Sequence, residues 1–151
     1  MTRATRAFAW RTDTGRVRKR NEDAVRVEPE DGLVVVADGM GGARGGDVVS
    51  RLAADTIDRR LQQDALSLAD PTGAQRLIAA AIEEANHAVF ERSRCAPELA
   101  GMGTTVVVGY VGSSWLAYGH VGDSRLYRLR AGALQQLTRD HSYIQDVVDQ
   151  G

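Results

Sequence analysis

The sequence predicts an α+β fold in a single domain covering residues 1–151. Three observations carry that expectation. Two long amphipathic segments lie together between residues 47 and 92, strand-like runs crowd the last third, and the connections between those runs are too short for parallel crossovers. With 151 residues and 43% hydrophobic content, the chain can bury a core of its own.

In order along the chain, residues 7–14 alternate loosely and read as a first strand. A basic stretch from Arg16 to Arg20 runs into Asn21-Glu22-Asp23, followed by a short strand over 24–27. Pro29-Glu30-Asp31-Gly32 makes a turn. Residues 33–37 are continuously apolar, the pattern of a strand buried on both faces, and the run stops abruptly at Asp38-Gly39. Helical spacing then covers 47–65, through Val48, Leu52, Ile57 and Leu61. Pro71-Thr72-Gly73 separates it from a second helix over 74–92, whose stripe is Leu77, Ile78, Ala81, Ile82, Ala85, Val89 and Phe90. Strands at 104–111, 115–121, 125–129 and 134–137 form an antiparallel meander, and another helix begins over 142–150.

Bulk composition removes several functions. A net charge of −1 recruits neither nucleic acid nor an anionic membrane, and no apolar run is long enough to cross a bilayer. Cys95 is the only cysteine, so an intrachain disulfide and a cysteine zinc site are both excluded. His87, His120 and His141 show no zinc-ligand spacing. No apolar stretch follows the N-terminal residues as in a signal peptide, which makes the cytoplasm the expected address.

The chemistry concentrates where strands end. A buried strand terminating at Asp38 presents a carboxylate rigidly at the rim of a sheet, and the glycines beyond it permit close approach to the backbone. Neither phosphate-loop pattern fits. A dinucleotide fingerprint from Gly39 meets Arg44 where its last glycine is needed, and a Walker loop from Gly41 meets Asp47 where it needs lysine. Asp38 would repel a phosphate unless a cation intervened. Glu22 and Asp23 add hard oxygen donors at a second strand end, suiting Mg²⁺ or Mn²⁺. Arg18 beside them suits capture of a phosphate. Gly122-Asp123 lies between two strand runs, where the plain reading is a hairpin turn.

Taken together, Arg18 to Ala24, Asp38-Gly39-Met40-Gly41-Gly42, Gly103-Thr104-Thr105, Val121 to Arg125 and Leu137 to Ser142 resemble the metal-dependent protein phosphatase family, type 2C or PPM, in its bacterial form. The resemblance implies a four-layer α-β-β-α sandwich and hydrolysis of phosphoserine and phosphothreonine in proteins. Asp38 would bridge two Mn²⁺ or Mg²⁺ ions, with the Gly39 carbonyl on one of them. Glu22 and Asp23 would act at the metals largely through their water shell, and Asp123 would help hold a third, weaker ion beside Thr105. Arg18 would hold the substrate phosphate. Water activated between two cations, which such sites hold roughly 3.5–4 Å apart, would attack phosphorus in line with no covalent intermediate. Met40 stands where some relatives carry a histidine, so no side chain is assigned to protonate the leaving group.

The family pattern continues with two further aspartates in D-G and D-N motifs, whereas after Asp140 this chain offers Asp146 and Asp149 in neither motif. The expectation is a C-terminally truncated domain, weakly active or inactive alone. The alternative is a non-catalytic member of the same fold that binds phosphoproteins or regulates a kinase. In either case the expected partners are phosphorylated proteins and the serine/threonine kinase acting on them.

Overall fold

The computed structural model describes residues 6–41, 45–142 and 145. An antiparallel sheet is built from β1 (Asp23–Glu28), β2 (Leu33–Met40), β4 (Val106–Val111) and β5 (Leu116–Val121), in the order β1-β2-β4-β5. The two-residue β3 (Gly103–Thr104) pairs with the end of β2. Helices α1 (Gly46–Gln63) and α2 (Pro71–Cys95) cover one face of this sheet. A separate hairpin, β6 (Tyr127–Arg130) with β7 (Ala133–Gln136), follows β5. The core lies between helices and sheet. Val35, Ala37 and Val108 from the strands meet Val49, Ala53, Ile57 and Leu61 of α1 and Leu77, Ile78 and Ala81 of α2. Removing each large aliphatic side chain from water contributes about 1.5–3 kcal/mol. No helix among the described residues is long and apolar enough to cross a membrane.

Several sequence expectations need correction. Residues 7–14 form no strand; Phe8, Trp10 and Thr12 instead lie beside Val25, Val27, Val34 and Val36 on the sheet face away from the helices. Alternation specifies a face, but a strand also needs a ladder partner. The apolar run at 33–37 continues as strand to Met40 and is buried on one face only, with Val36 exposed on the other. Residues 104–111 divide at Thr105, whose N–H turns to the Asp38 carbonyl.

Pro71 does not separate the helices; it opens α2. Asp70 caps that helix by accepting the N–H groups of Thr72 and Gly73, both at 2.9 Å, and proline fits the first turn because its missing N–H needs no partner there. Phe90, placed on the apolar stripe of α2, is exposed, as is Val48 on α1. The four-strand meander is two hairpins. β4 pairs with β5 and β6 with β7, while the chain at 122–126 leaves the first sheet and joins the second. Gly122, at φ 95°, supplies the left-handed conformation that redirects it, and a side chain there would run into Thr105. The helix expected over 142–150 lies outside the described residues apart from Ser142 and Gln145.

Candidate functional site

The β1–β2 register places Asp23 directly opposite Asp38. Asp38 is held through its own peptide. Its N–H donates to Thr105 Oγ1 at 3.2 Å, and its carbonyl accepts from the Thr105 N–H at 2.9 Å and the Thr104 hydroxyl at 3.1 Å. The next residue is fixed as firmly. The Gly39 N–H donates to the Glu22 carbonyl at 3.1 Å, and a Cβ at Gly39 would lie 2.0 Å from the Gly46 carbonyl oxygen. Only glycine allows the start of α1 to come this close. Glu22 itself packs against Gly46, where the N-terminal end of a helix favours a carboxylate.

Arg18, Glu22, Asp38, Gly39, Thr105 and Asp123 line one open cavity of about 400 Å³, together with Met40 and Gly41. Arg18 projects into solvent and meets Glu22 Oε2 at 3.4 Å. Thr105 is buried, and its hydroxyl lies 2.6 Å from that of Ser124, the neighbour of Asp123. Asp23 does not line this cavity. Its carboxyl reaches Asp38 across the ladder, and its N–H is held by Asn21 Oδ1 at 3.0 Å. Partial burial raises the Asp38 carboxyl above the usual carboxylate range, and the negative charges of Asp23 and Asp123 push the same way, with Arg18 opposing them.

The donors fit a hard divalent cation. Carboxylates, a hydroxyl and peptide carbonyls are the ligands Mg²⁺ and Mn²⁺ take, and a cation beside Asp38 would offset the neighbouring negative charges that raise its carboxyl. Among the described residues no three carboxylate or imidazole groups close around one point. A cation here would take one or two carboxylates from these residues and complete its shell with water, a common arrangement for Mg²⁺.

A profile of the protein phosphatase 2C family matches residues 14–148. This chain belongs to that family. The serine/threonine phosphatase stp of Listeria monocytogenes is 39% identical over 146 residues, covering 94% of this chain and 57% of that protein. PstP of Mycobacterium tuberculosis is 38% identical over 147 residues, covering 95% of this chain and 27% of that protein. The solved catalytic domain of PstP in complex with two manganese ions superposes with a TM-score of 0.81 at 36% identity, covering 93% of this chain and 58% of that one. The chain thus spans just over half the length of the Listeria phosphatase and of that catalytic domain. The family expected from the motifs is the family found, and its α+β fold is the fold observed.

Sequence reasoning missed some of the site's support. Thr104 and Ser124 carry contacts that tie Asp38 to the Asp123 turn, and neither had been given a part. Their presence inside matching motifs was the available signal.

Proposed function

We propose that this chain carries part of a metal-dependent centre that hydrolyses phosphoserine and phosphothreonine in proteins. One observation carries the reading: Asp38, opposite Asp23, shares a cavity with Arg18 and Asp123 and has its carboxyl raised by partial burial and by those acidic neighbours. The family membership and the manganese in the PstP structure support it.

In this reading Asp38, Asp23, the Gly39 carbonyl and Asp123 hold Mn²⁺ or Mg²⁺, with two or more ions in the whole protein. When bound, the ions supply Lewis acidity toward water and phosphate oxygen. Glu22 orients water from beside the helix start, and Thr105 fixes the spacing between Asp38 and the Asp123 turn. Arg18 reaches out from the rim on an exposed side chain, placed to take a phosphate oxygen and offset charge that grows as the nucleophile approaches phosphorus. Met40, at the rim, has no proton to give. The substrates we infer are phosphoproteins of the cytoplasm that a serine/threonine kinase modifies, which gives the protein a part in signalling.

The test is release of phosphate from a phosphothreonine peptide by the 151-residue chain, with and without Mn²⁺. Release should require Mn²⁺, vanish in Asp38→Asn, and run slower than in a relative of full length. Release that ignores Mn²⁺, or survives Asp38→Asn, would overturn the proposal, as would Mn²⁺ failing to bind at all.

A further inference from the structure

The stretch 137–142 matches the family pattern, yet the metal chemistry assigns it no part. In the structure it grips the strand and turn that carry Asp123. The Tyr118 hydroxyl donates to the Leu137 carbonyl at 3.1 Å, and the Leu126 N–H donates to Thr138 Oγ1 at 3.0 Å. His120 Nε2 lies 2.7 Å from the Arg139 carbonyl. Arg125 forks onto Asp140, with Nε at 2.9 Å from Oδ1 and Nη2 at 2.6 Å from Oδ2. The His141 N–H donates to the Gly122 carbonyl at 3.0 Å, the Gly122 N–H returns to His141 Nδ1 at 3.4 Å, and the His120 and His141 rings stack at 4.5 Å.

These contacts surround Asp123 from both sides: Gly122 precedes it and Arg125 follows Ser124. The Asp140 carboxylate is only 10% exposed, and Arg125 holds it below the usual carboxylate range. Apolar packing does not fix this turn, because β6 and β7 pack mainly on each other and their leucines face solvent. The polar clamp is what remains to hold it. Its effect passes inward through the Ser124 and Thr105 hydroxyls to the Asp38 peptide.

We propose that Asp140 is a positioning residue for Asp123: its ion pair with Arg125, beside the His141–Gly122 exchange, holds the 122–124 turn so that Asp123 faces the Asp38 cavity. This rests on the proposed function in taking Asp123 as a metal ligand. Residues that orient ligands from behind typically cost about 10- to 100-fold in metal affinity when removed. A lysine at 125 keeps the charge but cannot reproduce the fork.

Two readouts separate the clamp from the metal reading. In the metal-free chain, amide hydrogen exchange should quicken in Asp140→Asn and Arg125→Lys at Gly122, Leu126, His141 and Thr105, while Val35 and Val108 keep their protection. Unchanged exchange at those four amides overturns the clamp, whatever the metal does. By calorimetric titration, Asp140→Asn should weaken the looser Mn²⁺ site about 10- to 100-fold. The double variant with Asp123→Asn should then bind no worse than Asp123→Asn alone. Losses that multiply, or a lower melting temperature with Mn²⁺ affinity intact, would make Asp140 a structural residue only. Selective exchange in a chain whose wild type binds no Mn²⁺ would leave the clamp standing and remove the metal role. Arg125→Lys decides the matter if Asp140→Asn does not fold.

Discussion

The two carboxylates facing each other across the cavity are held by different physics. Asp38 lies near the end of β2, whose inward residues Leu33, Val35 and Ala37 are buried under α1 and α2, and its peptide is bonded on both sides. Asp123 sits on a turn leading into an exposed hairpin, where Leu129 and Leu134 pair across the strands at 70% and 69% exposure. One position inherits its rigidity from apolar burial, which is non-directional and shared among many neighbours. The other depends on a few directional polar contacts, which single substitutions remove. A metal ligand built the first way should tolerate changes around it, and one built the second way should not.

That contrast can be broken from either end. The largest effect should come from the core beneath β2. Ile57 on α1 is fully buried, and Ile57→Ala should cost about 2–5 kcal/mol of stability through lost transfer energy and a residual cavity, read by denaturant unfolding. The substitutions at Asp140 and Arg125 come next, and they should act on the turn far more than on global stability. The smallest effect belongs to the hairpin surface. Leu129→Gln and Leu134→Gln should each change stability by no more than about 0.5 kcal/mol in the same assay, because neither side chain is withdrawn from water. A large loss at Leu129 or Leu134 would mean that the hairpin is packed against something, and the contrast would fail.

Legibility in the sequence followed the same division. The run at 33–37 could be read as a buried strand leading to Asp38, although the strand itself continues to Met40, and the 47–65 and 74–92 periodicities marked helices that are present as α1 and α2. The two-hairpin arrangement could not be read. Short connections exclude parallel crossovers, but they do not say that β6 pairs only with β7, and that choice is made at Gly122 by its left-handed backbone. Arg125 and Asp140 lie 15 residues apart, and Gly122 and His141 lie 19 apart. No local pattern announces which of many arginines meets which aspartate. The N-terminal alternation misled because it recorded contact with the face bearing Val25 and Val34, not pairing with a neighbour. Pro71 was read as a break, although a proline one residue after an aspartate cap is equally the start of a helix.

The central claim is that Asp38 meets its acidic neighbours at the mouth of an open cavity where a cation would offset their charge, and melting temperature against pH tests it most directly. Because the folded state raises the Asp38 carboxyl, the metal-free chain should lose stability as pH rises from the ordinary carboxylate range through that raised value, and stay lower above it. Asp140, held down by Arg125, has the opposite sign: its contribution is full above the ordinary carboxylate range and is lost as pH falls through its lowered value. Asp38→Asn should therefore melt higher than wild type near neutral pH without metal. Mn²⁺ at about 100 times its Kd should add about 2.7 kcal/mol to the wild type and little to Asp38→Asn. Equal stabilisation of both by Mn²⁺, with Asp38→Asn no more stable than wild type in its absence, would contradict the account.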